Sequence, residues 1–372
     1  MRRLGPGETG TGLDLPGRQP DSWVSRVAGS RPPFARSPCP PLLPGIWNDQ
    51  VTPQAVDAAI DVVVLSLDRL RDTHECIDSV LEQDHTQVRL WVLDQGSEPA
   101  TVASLRQRSL ADGFAFVEVG RIGVAAGRNR GYRMGKAPLI VALDNDAVLS
   151  DTGVLTRVAQ RFATNAKLGV LAFAVHDYAK GGPDMGSWSY PWPVASHFNR
   201  EFLAARFCGA GHAVSGAAFA ASPGYDEQLF FFGEELDLSW SLISLGYEIR
   251  YIPEIAVRHK SSQEQRINWA EGRYYYNVRN MLYLQRKYWH DPWMLLEYLL
   301  GYLVKGLWNG LTRPTIKGLK DGLRMQYQGK DSPVLGEAAL AYVLAHEYAA
   351  RGSAWQRFHR EVMLRLSSRP PA

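Results

Sequence analysis

Between residues 61 and 175, short apolar runs rich in valine, leucine and isoleucine alternate with segments of helical period. The runs fall at 61–66, 89–93, 114–119, 139–143 and 170–175. Each is too short for a helix, and most lack the polar alternation of a strand with one wet face. They therefore read as strands covered on both sides. Helical patterns fill 73–83, 101–110, 127–134 and 153–165. The helix at 73–83 takes Asp72 as its cap, with Glu75 three residues on, and buries Cys76, Ile77, Val80 and Leu81. Strands and helices in alternation predict an α/β fold, a mostly parallel sheet flanked by helices.

The chain has 372 residues and is 45% hydrophobic, enough for one large or two ordinary domains. A formal net charge of +3 gives no reason to expect nucleic acid as a partner. Cys39, Cys76 and Cys208 are scattered, without a C-x-x-C pair, so neither a zinc site nor a disulfide framework is expected. A reducing, cytoplasmic setting fits that usage. No secretory signal is readable at the start. Residues 1–58 are rich in Pro, Gly and Arg and read as a disordered extension without chemistry. Residues 59–265 read as the α/β domain and 266–372 as a helical C-terminal region. The longest apolar stretch, 293–311, is interrupted by Glu297, Lys305 and Asn309, so a membrane span is not expected. No solenoid repeat is visible.

The chemistry gathers at strand ends. Asp144-Asn145-Asp146 follows the run at 139–143, and two carboxylates held at the end of a buried strand suit Mg²⁺ or Mn²⁺ together with substrate phosphates. The segments 66–69 and 94–97 close the first and second strands. In a parallel sheet all three ends converge on one edge, where ligands bind. Asp94 there could accept from a base or ribose hydroxyl. Taken singly, each of these residues also reads as a turn or cap. Gly209-Ala210-Gly211-His212-Ala213-Val214 imitates a dinucleotide fingerprint but has Val214 where the third glycine belongs.

The ordered set of motifs over roughly 60–260 resembles the family 2 glycosyltransferases of the GT-A fold, and their rhamnosyltransferase-like branch in particular. It comprises Val62-Val63-Val64-Leu65-Ser66, Val92-Leu93-Asp94-Gln95-Gly96-Ser97, the segment 123–131 with Gly127-Arg128-Asn129-Arg130-Gly131, Leu143-Asp144-Asn145-Asp146-Ala147, Gly224-Tyr225-Asp226-Glu227, Phe232-Gly233-Glu234-Glu235-Leu236-Asp237-Leu238, and 246–259 ending Val257-Arg258-His259. The resemblance implies inverting transfer of a sugar from a UDP- or dTDP-sugar to a hydroxyl on a glycan or lipid-linked acceptor, in surface polysaccharide or glycolipid synthesis. It implies a metal, Mn²⁺ or Mg²⁺, on Asp144, Asp146 and His259, with Asp146 the more direct ligand. It implies a carboxylate base among Glu235, Glu234 and Asp237, in that order of preference. Ser66, Asp94, Arg128, Asn129 and Asp144 are expected around the nucleotide, and Asp226 near the acceptor. Two positions depart from the pattern: Glu235 stands where an Asp is usual, and Arg121 where an Asn is common. Acidic residues opening a helix at 236–245 would also arise from the helix dipole alone.

Trp188, Tyr190 and Trp192 either stack on a sugar or simply pack. In the C-terminal region, Leu296, Leu299, Leu300, Leu303 and Leu307 form a helical stripe, followed by Arg313, Lys317, Lys320 and Arg324 on one face. That pair of features suits either a packed helical subdomain or peripheral contact with the inner face of a membrane. A sugar nucleotidyltransferase would need a glycine-rich phosphate loop after the first strand, which Ser66-Leu67-Asp68-Arg69 does not supply. A non-catalytic carbohydrate-binding or scaffold protein is the remaining alternative.

Overall fold

All five short apolar runs enter one mixed sheet, which has nine strands among the described residues. The structure, a computed structural model, describes residues 57–260, 272–329, 334–348, 351, 354–363 and 366. The expectation for the N-terminal extension lies outside these residues, apart from 57 and 58.

The strands are β1 (Ile60–Ser66), β2 (Val88–Asp94), β3 (Ala115–Glu118), β4 (Leu139–Asp144), β5 (Ala147–Leu149), β6 (Leu168–Asp177), β7 (Phe202–Ala204), β8 (Gly211–Ser215) and β9 (Glu248–His259). Their order across the sheet is β3-β2-β1-β4-β8-β6-β9-β5, with β7 also paired to β9. The half from β3 to β4 is parallel throughout. Antiparallel β8 then enters between β4 and β6, and β9 runs parallel to β6.

The helices of the first half are α1 (Leu70–Leu81), α2 (Pro99–Asp112), α3 (Val124–Met134) and α4 (Val154–Thr164). Alternation along β1 explains its unbroken apolar run. Val62 and Val64 meet Cys76, Ile77 and Val80 of α1 in one core, while Val63 and Leu65 meet Ala125 and Tyr132 of α3 in another. Each such side chain, fully buried, contributes about 1.5–3 kcal/mol.

Two local expectations are corrected. Arg69, in left-handed backbone at φ 51, precedes α1, so Asp72 lies inside the first turn and is not the cap. Leu81 is 45% exposed because α1 ends there and turns it away from the core.

The second half adds two short helices, α5 (Val194–His197) and α6 (Gly216–Ala221), then α7 (Glu234–Ser244) and α8 (Arg273–Tyr288). Tyr283, Leu284 and Tyr288 of α8 join the same core as Leu238, Trp240 and Leu242 of α7. After it come α9 (Pro292–Trp308), α10 (Thr312–Arg324), α11 (Glu337–Val343) and α12 (Ala354–Arg357). No helix among the described residues is long and apolar enough to cross a membrane. The aromatic loop packs inward: Trp188 and Tyr190 meet each other and Tyr251 edge to face, and Trp192 stacks on His197. Packing thus accounts for all three rings.

Candidate active site

Register brings the strand ends together. Ser66 lies opposite Asp94, and Leu65 opposite Asp144. The chain leaves β4 at Asp144, turns through Asn145 and Asp146, and starts β5, whose Ala147 pairs with His259 of β9. This antiparallel pairing sets His259 beside Asp146 although the two are far apart in sequence. Nε2 of His259 lies 3.4 Å from Oδ1 of Asp146. One ligand atom from each of Asp144, Asp146 and His259 falls within a 4.8 Å cluster. Two carboxylates and an imidazole are a donor set for Mn²⁺ or a similar hard to borderline cation.

Asp184 is the residue that the sequence did not announce. It is buried, and its Oδ2 lies 2.7 Å from Nδ1 of His259. It also accepts from the Ser187 hydroxyl at 2.6 Å and from Gly186 N–H at 2.9 Å. A carboxylate behind a histidine fixes the ring and leaves the other nitrogen aimed at a metal. Asp184 sits in a polar loop with no motif around it, so no local signal could have found it. Burial alone would lower the His259 pKa, but hydrogen bonds with Asp146 and Asp184 push it up to about 9.

Two arginines hold the carboxylates. Arg69 contacts Asp146, donates to Asp72 at 2.8 Å and to the Lys260 carbonyl at 3.1 Å. Lys260 in turn donates to Asp72 at 3.0 Å and contacts Glu75. Asp72 and Glu75 therefore belong to this ion network instead of a capping box. Arg128, 2% exposed, donates to Glu235 at 2.7 Å, to Asp144 at 3.2 Å and to the Gly209 carbonyl at 3.0 Å. It bridges the acidic pair of α7 and the end of β4. Gly209 leaves room for this approach, since a Cβ there would push on Glu235 Oε1 and Arg128 Nη2.

The three candidate bases are in different environments. Glu235 keeps 20% of its side chain exposed beside Arg128. Glu234 is buried, and its Oε2 has no hydrogen-bond partner among the described residues. Burial, reinforced by the Glu235 charge, pushes its carboxyl up to about 8. Asp237 is 1% exposed and accepts from Lys287 at 2.6 Å, Tyr288 at 2.9 Å and Asp226 N–H at 3.0 Å. Its oxygens are spent on fold contacts.

The residues expected around the nucleotide divide similarly. Asp144 has a side chain 40% exposed at the open edge. Asp94 is 1% exposed and caps its own turn, accepting from Gly96 N–H at 2.9 Å, Ser97 N–H at 3.1 Å and the Ser97 hydroxyl. The Ser66 hydroxyl is buried under the same edge. Asn129 donates to the Tyr225 carbonyl at 2.8 Å and to Glu227 at 2.9 Å, and accepts from Tyr225 N–H at 2.9 Å. It braces the 225–227 turn. Asp226 accepts from Tyr283 at 2.5 Å and from Lys287 at 2.9 Å.

The family model "Glycosyl transferase family 2" matches residues 61–224. An uncharacterized protein of Haemophilus influenzae (strain ATCC 51907 / DSM 11121 / KW20 / Rd) is 27% identical over 163 residues, 42% of this chain and 86% of that protein. Among solved structures, a mannosyltransferase from Pyrobaculum calidifontis, in complex with GDP-Man and Mn²⁺, superposes with a TM-score of 0.50 at 14% identity, over 82% of this chain and 85% of that one. GalNAc-T7 with UDP, GalNAc and Mn²⁺ gives 0.54 at 12% identity, over 82% of this chain and 57% of that one. The fold is the GT-A arrangement of glycosyltransferases.

Proposed function

We propose that this chain, with its family 2 match over 61–224, is an inverting glycosyltransferase. It moves a sugar from a UDP- or dTDP-sugar to a hydroxyl of a glycan or lipid-linked acceptor, in surface polysaccharide or glycolipid synthesis on the cytoplasmic side. The observation that carries this reading is the meeting of Asp144, Asp146 and His259 with Glu235 at one sheet edge, bridged by buried Arg128.

Asp144, Asp146 and His259 would hold Mn²⁺ or Mg²⁺. When bound, such a cation supplies positive charge to the leaving diphosphate. Glu235 takes the acceptor proton on its carboxylate while Arg128 holds its Oε1. The acceptor oxygen forms a bond to the anomeric carbon, and the bond from that carbon to the diphosphate oxygen breaks with its electron pair. One displacement from the opposite face inverts the centre. Glu234 is the neutral neighbour that does not compete for the proton. The catalytic region runs over 59–265, and the described helix α8 of the C-terminal region packs against α7 within it.

The test is thermal stabilisation by nucleoside diphosphates and their sugars, with and without Mn²⁺. Wild type is expected to show a metal-dependent rise that Asp146→Ala abolishes and Glu235→Gln retains. Glu235→Gln is expected to lower turnover by about 10²–10⁴-fold, read as nucleoside diphosphate release. Absence of a shift with every nucleotide would favour a non-catalytic carbohydrate-binding role.

A further inference from the structure

Two C-terminal helices expose an unusual surface. Within α9 only Met294 and Gly306 are buried. Trp293, Leu296, Leu300, Leu303, Val304 and Leu307 are exposed, Trp293 to 75% and Leu307 to 57%. Spacings of three and four put them on one side of the helix. Glu297 is the one charged residue fully exposed on α9.

The next helix adds charge. Gly318 and Gly322 of α10 let it lie against α8, where a Cβ at Gly322 would come within 2.6 Å of the Arg279 carbonyl. Its opposite side exposes Arg313, Lys320 and Arg324, together with Ile316 and Leu323, while Lys317 is exposed at the margin with its ammonium 4.4 Å from the Tyr275 ring of α8. Asp321, the helix's one acid, accepts from the Tyr275 hydroxyl at 2.8 Å. Gly306 of α9 packs on Thr315 of α10, and Leu307 and Ile316 are the next residues in each helix. The apolar stripe and the basic stripe therefore start from one crossing.

We infer that α9 and α10 form a docking surface for an anionic lipid bilayer. The apolar side of α9 lies in the boundary between headgroups and acyl chains, and the α10 cations meet lipid phosphates. Charge decides the occupant. A second copy docking through this same face would have to match four cations with a surface whose one exposed acid is Glu297, whereas an anionic leaflet matches all four. Since α9 cannot cross a bilayer, it lies along one. The surface is tied to the active site through α8, whose Asn280 donates to the carbonyls of Leu229, Phe231 and Phe232, just ahead of Glu234. That tie would place the active site beside an acceptor carried in the same membrane, a consequence that rests on the sugar-transfer reading.

The test is cosedimentation of the full chain with vesicles of phosphatidylcholine alone, or with about a third phosphatidylglycerol. Anionic vesicles are expected to bind at least about tenfold better than neutral ones, with binding weakened by salt. Lys320→Ala and Arg324→Ala should each weaken binding about fivefold. The double variant Leu300→Glu/Leu307→Glu should lose it while keeping the wild-type unfolding midpoint. Equal binding to neutral vesicles, or no binding, would overturn the inference. So would a dimer seen by light scattering that Leu300→Glu/Leu307→Glu dissolves. Nucleotide stabilisation, measured in parallel without vesicles, reports on the sugar-transfer reading separately.

Discussion

At the residue scale, two adjacent glutamates of one helical turn have opposite fates. Glu235 faces Arg128 and the open edge, whereas Glu234 is buried with an unpartnered oxygen. The raised Glu234 pKa has a definite sign. Its folded value, about 8, lies above the unfolded value of about 4.3. The folded state therefore holds the proton more tightly, and stability falls as pH rises between those two values. Glu234→Gln removes the titration. The variant is expected to be more stable than wild type above pH 8, by roughly 1–3 kcal/mol, and to lose this part of the pH slope in urea unfolding. Its turnover should stay near wild type, in contrast to Glu235→Gln. A variant as pH-sensitive as wild type would show that Glu234 is not the group concerned. Arg128 is equally informative. Its buried guanidinium stands between Glu235 and Asp144, where the resemblance implied a nucleotide contact. Its work is to hold the two carboxylates.

At the element scale, the approach to α7 is set by a helix from the C-terminal region. Residues 229–232 run into Gly233, whose φ of 95 is left-handed, and a Cβ there would lie 2.7 Å from the Met281 methyl. Phe230 and Phe232 also adopt positive φ. Such backbone costs about 1–3 kcal/mol per residue and persists only when its surroundings hold it. Asn280 of α8 provides the hold through three carbonyls, and Arg279 adds the Gln228 and Leu229 carbonyls, each at 2.9 Å. Asn280→Ala is expected to cost about 1–3 kcal/mol in unfolding. It should lower kcat more than it weakens Mn²⁺-dependent nucleotide binding, because the donor side is built on other strands. Equal losses in both would point to a general structural effect.

At the scale of the whole molecule, a buried charge cluster joins the sheet's second half to the C-terminal helices. Lys287 of α8, 5% exposed, pairs with Asp226 and with Asp237 of α7. Removing one partner from such a cluster leaves buried charge uncompensated, so Lys287→Met should cost about 3–5 kcal/mol. Burial would raise the Asp226 pKa, but Lys287 and the Tyr283 hydroxyl hold it below the usual carboxylate value. Its contribution to stability is present above the unfolded value of about 3.9 and is lost as pH falls through the lower folded value. Thermal midpoints measured from neutral to acid pH should show that loss in wild type and a smaller one in Lys287→Met.

The parallel half of the sheet is legible in the sequence, because β1 to β4 each carry an apolar run and helical segments separate them. The strand-end position of Asp144 and Asp146 is equally legible, since the apolar run of β4 stops at them. Tertiary structure decided the rest. His259 reaches Asp146 only because β5 and β9 pair antiparallel, a long-range register with no local mark. Asp184 joins them from an irregular loop. Asp94 and Asn129 carry motif-like surroundings, and the turns they brace are not displayed by the sequence. Which of two neighbouring glutamates is buried depended on which one α7 turned toward Arg128. Burial and partnering are properties of the packed chain, and two residues of one type, side by side in sequence, differ in nothing else.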